Sequence, residues 1–122
     1  MLKFKKGSYK ILGHFNPDDR QAIIIKQVDG YLFEYNGRQF GTTKQYYNTV
    51  GELNIFEDYL VTDIKSGLSV NIYARSRDDI ESIFEKRKDI IFAQFEKDKI
   101  KQAEDIIRNS YLGGLFNILK NN

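Results

Sequence analysis

The chain contains no cysteine and no tryptophan, and only one proline, one histidine and one methionine among 122 residues. The missing cysteine excludes disulfides, thiolate metal sites and cysteine nucleophiles. A single histidine, His14, excludes any metal site built on a histidine pair. For His14 to act as a general base, a carboxylate such as Asp18 or Asp19 would have to orient it, and nothing in the sequence supplies that geometry. An ordinary structural or surface role is expected.

Short catalytic motifs are missing as well. Nine glycines are present, yet neither GxGxxG nor GxxxxGK[ST] occurs, so neither phosphate-cradling loop is written in the chain. A GxSxG nucleophile turn is absent. Glu52, Glu57, Asp58 and Asp63 have no EF-hand spacing. Asp18-Asp19 and Asp78-Asp79 are explained by a turn and by a helix start. No catalytic residue, metal or cofactor is expected, and the chain reads as a non-enzyme.

No run approaches the ~20 apolar residues of a membrane span. The basic start Met1-Leu2-Lys3-Phe4-Lys5-Lys6 is broken by Gly7, Ser8, Lys10 and His14 where a signal peptide would be apolar, so a cytoplasmic location is expected. Net charge is only +2, too weak a field to argue by itself for nucleic acid or anionic membrane. Abundant Lys, Ile, Asn, Tyr and Phe suits an AT-rich bacterial, plasmid or phage gene.

What is present is a pattern. Hydrophobic residues make up 41% of the chain, enough for a core, and no repeat or linker divides it, so one α+β domain over 1–122 is expected. Asp29-Gly30 and Asn36-Gly37 are dipeptides favoured in two-residue hairpin turns, and they predict a meander of strands over 21–28, 31–36 and 38–43. A strand from Ser8 to Phe15 should precede it, closed by Asn16-Pro17-Asp18-Asp19. Leu53 to Asp63 and Leu68 to Ala74 should pair around Lys65-Ser66-Gly67. The expected architecture is an antiparallel sheet, or a small partly open barrel, of 5 to 7 strands over residues ~2–75. A meander that ends in a helix is similar in element order alone to pleckstrin-homology-like barrels.

At Ser76 the period changes. Ser76 and Asp79 resemble a capping box, and Ile80, Ile83, Phe84, Ile91 and Phe95 share one helical face, which predicts helix over ~77–109. Ile100, Ala103, Ile107 and Tyr111 fall nearly opposite, so a break near 97–99 is expected, unless one long helix packs on two surfaces. Gly113-Gly114 suggests a hinge before a short helix at ~112–120, where Leu112, Leu115, Phe116 and Leu119 form an apolar stripe.

Three functional readings follow, the third being a small enzyme that carries no short motif. The first is a small regulatory or inhibitory protein of immunity or accessory type that works by protein contact or self-association. Tyr46, Tyr47, Tyr59, Leu112, Leu115, Phe116 and Leu119 are its candidate anchors. The alternative is RNA or single-stranded DNA binding by a basic, aromatic sheet face. It would draw on Lys3, Lys5, Lys6, Tyr9, Lys10, Arg38, Lys44, Tyr46 and Tyr47, with Gln39 and Phe40 beside them.

Overall fold

Alternating apolar residues in the first half of the chain build strands, and the 3.6-residue spacing after Ser76 builds helix. In a computed structural model the described residues are 1–13, 24–47 and 52–121, with the backbone alone described at 24, 47 and 111–121. Strands β1 (Lys5–Gly13), β2 (Ile24–Tyr35), β3 (Arg38–Tyr47), β4 (Leu53–Asp63) and β5 (Ser69–Ala74) precede helix α1 (Arg77–Ala93). A 3₁₀ turn (Gln94–Glu96) and helix α2 (Asp98–Asn121) follow. The strands form one antiparallel sheet in the order β1-β2-β3-β4-β5, which is not closed into a barrel. One hydrogen bond, from the Leu12 N–H to the Gly67 carbonyl at 2.7 Å, ties the end of β1 to the β4–β5 turn.

The Asn36-Gly37 turn forms as expected, with φ of 55° and 81°. Asp29-Gly30 does not turn. Residues expected as two strands are one, and β2 runs straight through this dipeptide with Asp29 opposite Ser8 and Gly30 opposite Gly7. Asp29 accepts a hydrogen bond from Ser8 Oγ at 2.6 Å. Gly30 is required by crowding instead: a Cβ there would lie 2.3 Å from the Thr42 carbonyl oxygen. Gly30→Ala must therefore move backbone, and a loss of about 1–3 kcal/mol is expected in urea unfolding. A Gly37→Ala variant, which has no atom within 4 Å of the new methyl, isolates the separate effect of positive φ. A Gly30→Ala protein as stable as the parent would contradict the continuous strand.

Phe33, Tyr35, Phe40, Val61, Val70, Ile72 and Ala74 bury against Ile80, Phe84, Ile91 and Phe95, so the predicted helical face is the one that packs on the sheet. Each buried Val, Ile or Phe among them contributes roughly 1.5–3 kcal/mol. On the other face Tyr9, Ile11 and Val28 cluster with Leu32, Tyr46 and Ile64. The Tyr9 ring lies across Gly41, and its hydroxyl is hydrogen-bonded with Thr62.

Ser76 occupies the helix N-cap with extended backbone, but its side chain makes no capping bond, so the expected capping box does not form. Its carbonyl accepts the Asp79 N–H at 3.2 Å, while Asp78 and Asp79 sit in the first turn, where the helix dipole favours them. The break near 97–99 is present. Lys97 is extended, and its carbonyl accepts from Ile100 and Lys101 to start α2. Redirected in this way, α2 buries Ala103 and Ile107 against Leu12. Residues 112–120 are helical as expected, but they continue α2 through Gly113-Gly114 without a hinge. Glycine weakens a helix by about 1 kcal/mol per residue without removing any backbone hydrogen bond. His14, the turn at 16–19 and the side chains of Tyr111, Leu112, Leu115, Phe116 and Leu119 lie outside the described residues.

Tyr35 donates to Glu85 Oε1 at 2.6 Å. Burial, and then the Glu85 carboxylate, push its phenol up to about 12 from 10.0. Below pH 10 both folded and unfolded chains keep the proton, so this contribution is intact; between pH 10 and 12 the unfolded chain releases it first and stability falls. Tyr35→Phe should show a smaller drop in urea midpoint across that window. Equal drops in the two proteins would exclude Tyr35 as a source.

Candidate functional site

The second half of β3 and the first half of β4 form an arm, in which Gln45, Tyr46 and Tyr47 pair with Ile55, Asn54 and Leu53. Between Thr43 and Gln45 the register shifts, and two steps along β3 span five along β4. There the Gln45 N–H donates to Thr43 Oγ1 at 3.2 Å, and irregularities of this kind bend a strand and re-aim its side chains. Phe56 stacks on Tyr46 with centroids 5.2 Å apart, and Tyr46 packs against the Tyr9 cluster. Because side chains alternate along a strand, Leu53, Ile55 and Glu57 point to the opposite face. Leu53 is 48% exposed and Ile55 75% exposed.

The edge of the same segment is also open. Pairing of β4 with β5 begins at Tyr59, opposite Ala74, and no strand among the described residues lies beside 53–58 on that side. The arm therefore presents apolar side chains and an unpaired backbone edge together. Leu53 and Ile55 were not among the candidates read from sequence. Their signal is there: Leu53-Asn54-Ile55-Phe56 puts apolar residues on both faces of a strand, more than one core face can take.

Of the protein-contact candidates, Tyr46 is half-buried within the arm, and Tyr59 packs partly into the α1 core with Lys44 Nζ 5.1 Å above its ring. The Tyr47 side chain lies outside the described residues. The structure brings few of the nucleic-acid candidates together. Tyr9 and Phe40 are buried, and burial raises the Tyr9 phenol well above its ordinary value. Lys10 reaches the Ser110 carbonyl at 3.1 Å. Lys3, Lys5 and Lys6 are exposed, with adjacent Lys5 and Lys6 alternating to opposite faces of β1. Lys6 pairs with Tyr31, over whose ring Arg77 lies at 3.9 Å.

Arg38 belongs to the scaffold. Its Nε and Nη2 each donate to an Asp63 oxygen at 2.7 Å, Nη2 also approaches Glu104 at 3.4 Å, and the guanidinium carbon stands 3.7 Å from the Phe95 centroid. Burial opposes its charge, but the bonds and charges of Asp63 and then Glu104 outweigh this and hold the guanidinium above its ordinary pKa. An open depression of about 730 Å³ lies beside it, lined by Gly37, Gln39, Ile64, Lys65, Phe92 and Phe95 among others. Its best-placed cation is already committed to Asp63.

Among the described residues no three His, Cys, Asp or Glu side chains gather as metal ligands, and no helix is long and apolar enough to cross a membrane. Comparison with protein-family models, with curated proteins and with solved structures found no match to this chain.

Proposed function

We propose that this chain is a non-enzymatic regulatory or inhibitory protein that acts by protein contact through the β3–β4 arm. The observation that carries the reading is the exposure of Leu53 and Ile55 beside a strand edge that has no partner among the described residues. Isolated exposed apolar residues are ordinary on any surface; two on successive outward positions of an open edge are a liability unless something covers them. Apolar anchors at a patch of this kind supply binding energy by leaving water, and the backbone edge supplies directional hydrogen bonds. The dispersal of Tyr9, Lys10 and Arg38 into structural contacts supports this reading over nucleic-acid binding.

A photo-crosslinking residue placed at position 55, in cells that encode the protein, should give a discrete protein adduct. The same residue at exposed Ile90 on α1 should not. An arm that gives no adduct, or the same adducts as position 90, would remove the basis for the proposal.

A further inference from the structure

We infer that the free edge of β4 between residues 53 and 58 accepts an extended, basic segment of a partner protein as an added antiparallel strand. This inference rests on the protein-contact reading and specifies its chemistry. The edges of β5, of β1 and of β4 over 53–58 differ. β5 has only six residues and is interrupted at Asn71, whose φ is 59°, whose N–H donates to Ser69 Oγ at 3.1 Å and whose carbonyl accepts from Arg87 at 3.4 Å. β1 is tied to the β4–β5 turn through Leu12 and to α2 through Lys10, and it carries Lys5 and Lys6 on its exposed start. These are the devices by which sheets avoid pairing with other chains. Leu53-Asn54-Ile55-Phe56-Glu57-Asp58 has no proline, glycine, lysine or positive φ; its irregularity is the register shift against β3 between Ile55 and Leu60, and its charges are both acidic.

Charge selects the occupant. Glu57 and Asp58 close the segment, and neither is held in an ion pair among the described residues. On the outward face Leu53, Ile55 and Glu57 follow one another, so an antiparallel strand would place apolar residues opposite the first two and a cation opposite the third. A second basic residue would face Asp58. The matching partner reads basic-basic-x-apolar-x-apolar.

A second copy of this chain fits less well. Self-pairing centred on Ile55 sets Glu52 opposite Asp58, and pairing centred between Asn54 and Ile55 sets Glu52 opposite Glu57. Like charges directly opposite one another destabilise a ladder.

The test is to titrate the isotope-labelled full chain with the blocked peptide Lys-Lys-Thr-Val-Thr-Val and follow its amide resonances. Saturable shifts confined to residues 53–58 and their β3 neighbours are expected, with a dissociation constant of about 0.1–1 mM. The Glu-Glu counterpart should bind at least ~10-fold more weakly, raising salt from ~50 to ~200 mM should weaken the basic peptide, and N-methylation of alternate peptide amides should abolish binding. Absence of saturable shifts up to ~5 mM, or equal binding of the acidic peptide, would overturn the inference. So would a dimer in sedimentation that Ile55→Lys dissociates, since the edge would then belong to a second copy. A protein adduct at position 55 without peptide binding would overturn strand addition and leave the protein-contact reading standing.

Discussion

Asp63→Ala should destabilise the protein by about 3–5 kcal/mol, one of the two largest losses expected from a single substitution here. Asp63 has no exposed surface, and its carboxylate holds Arg38 through two 2.7 Å bonds while accepting the Ser66 hydroxyl at 2.6 Å and the Ser66 N–H at 3.2 Å. Removing it leaves Arg38, only 17% exposed and stacked on Phe95, with one weak contact to Glu104. The penalty is that of an uncompensated buried charge, and the paired state need not be strongly favourable in itself. The double variant Arg38→Met/Asp63→Leu should therefore recover most of the loss, and a double-mutant cycle in urea separates the two effects. A loss below about 1 kcal/mol for Asp63→Ala would show that this network is not what joins the β4–β5 turn to the helices.

Phe84→Ala should cost a similar amount, about 3–5 kcal/mol, for a different reason. Phe84 is fully buried on α1, and its ring centroid lies 4.7 Å from that of Tyr35, 4.8 Å from Phe40 and 5.8 Å from Phe33. Three rings from two strands lose their common partner, and strand backbones cannot collapse into the space as a loop could. Ile90→Ala on the same helix, at a position 60% exposed, should stay within about 0.5 kcal/mol. If the two substitutions cost the same, α1 does not pack on the face described.

The helical half was the more legible in sequence. Ile80, Phe84, Ile91 and Phe95 could be assigned to one buried face because helical periodicity is local and long enough to average over exceptions. The break at Lys97 was legible for the same reason: the apolar phase jumps there, and one straight helix cannot bury both faces on one surface. Asn36-Gly37 was read correctly and Asp29-Gly30 was not, although the dipeptides look alike. A turn dipeptide states what conformations the chain tolerates; whether it turns depends on what lies beside it. Next to Gly30 is the Thr42 carbonyl, which leaves no room for a side chain and which no reading of residues 24–35 alone could supply.

The candidate site divides in the same way. Residues 53–63 were recognisable as a strand, but exposure of Leu53 and Ile55 depends on where β5 stops, and the pairing of Tyr59 with Ala74 is a long-range fact. Arg38 looked available for a ligand until Asp63, 25 residues away, took its donors. The order of strands before helices, the antiparallel α+β class and the apolar faces of α1 and α2 were determined by the sequence, because they depend on neighbours within a few residues. Which glycine turns and which is crowded, which cation is committed, and which strand edge stays open were decided only by the tertiary structure. Those outcomes depend on atoms that distant segments bring into contact.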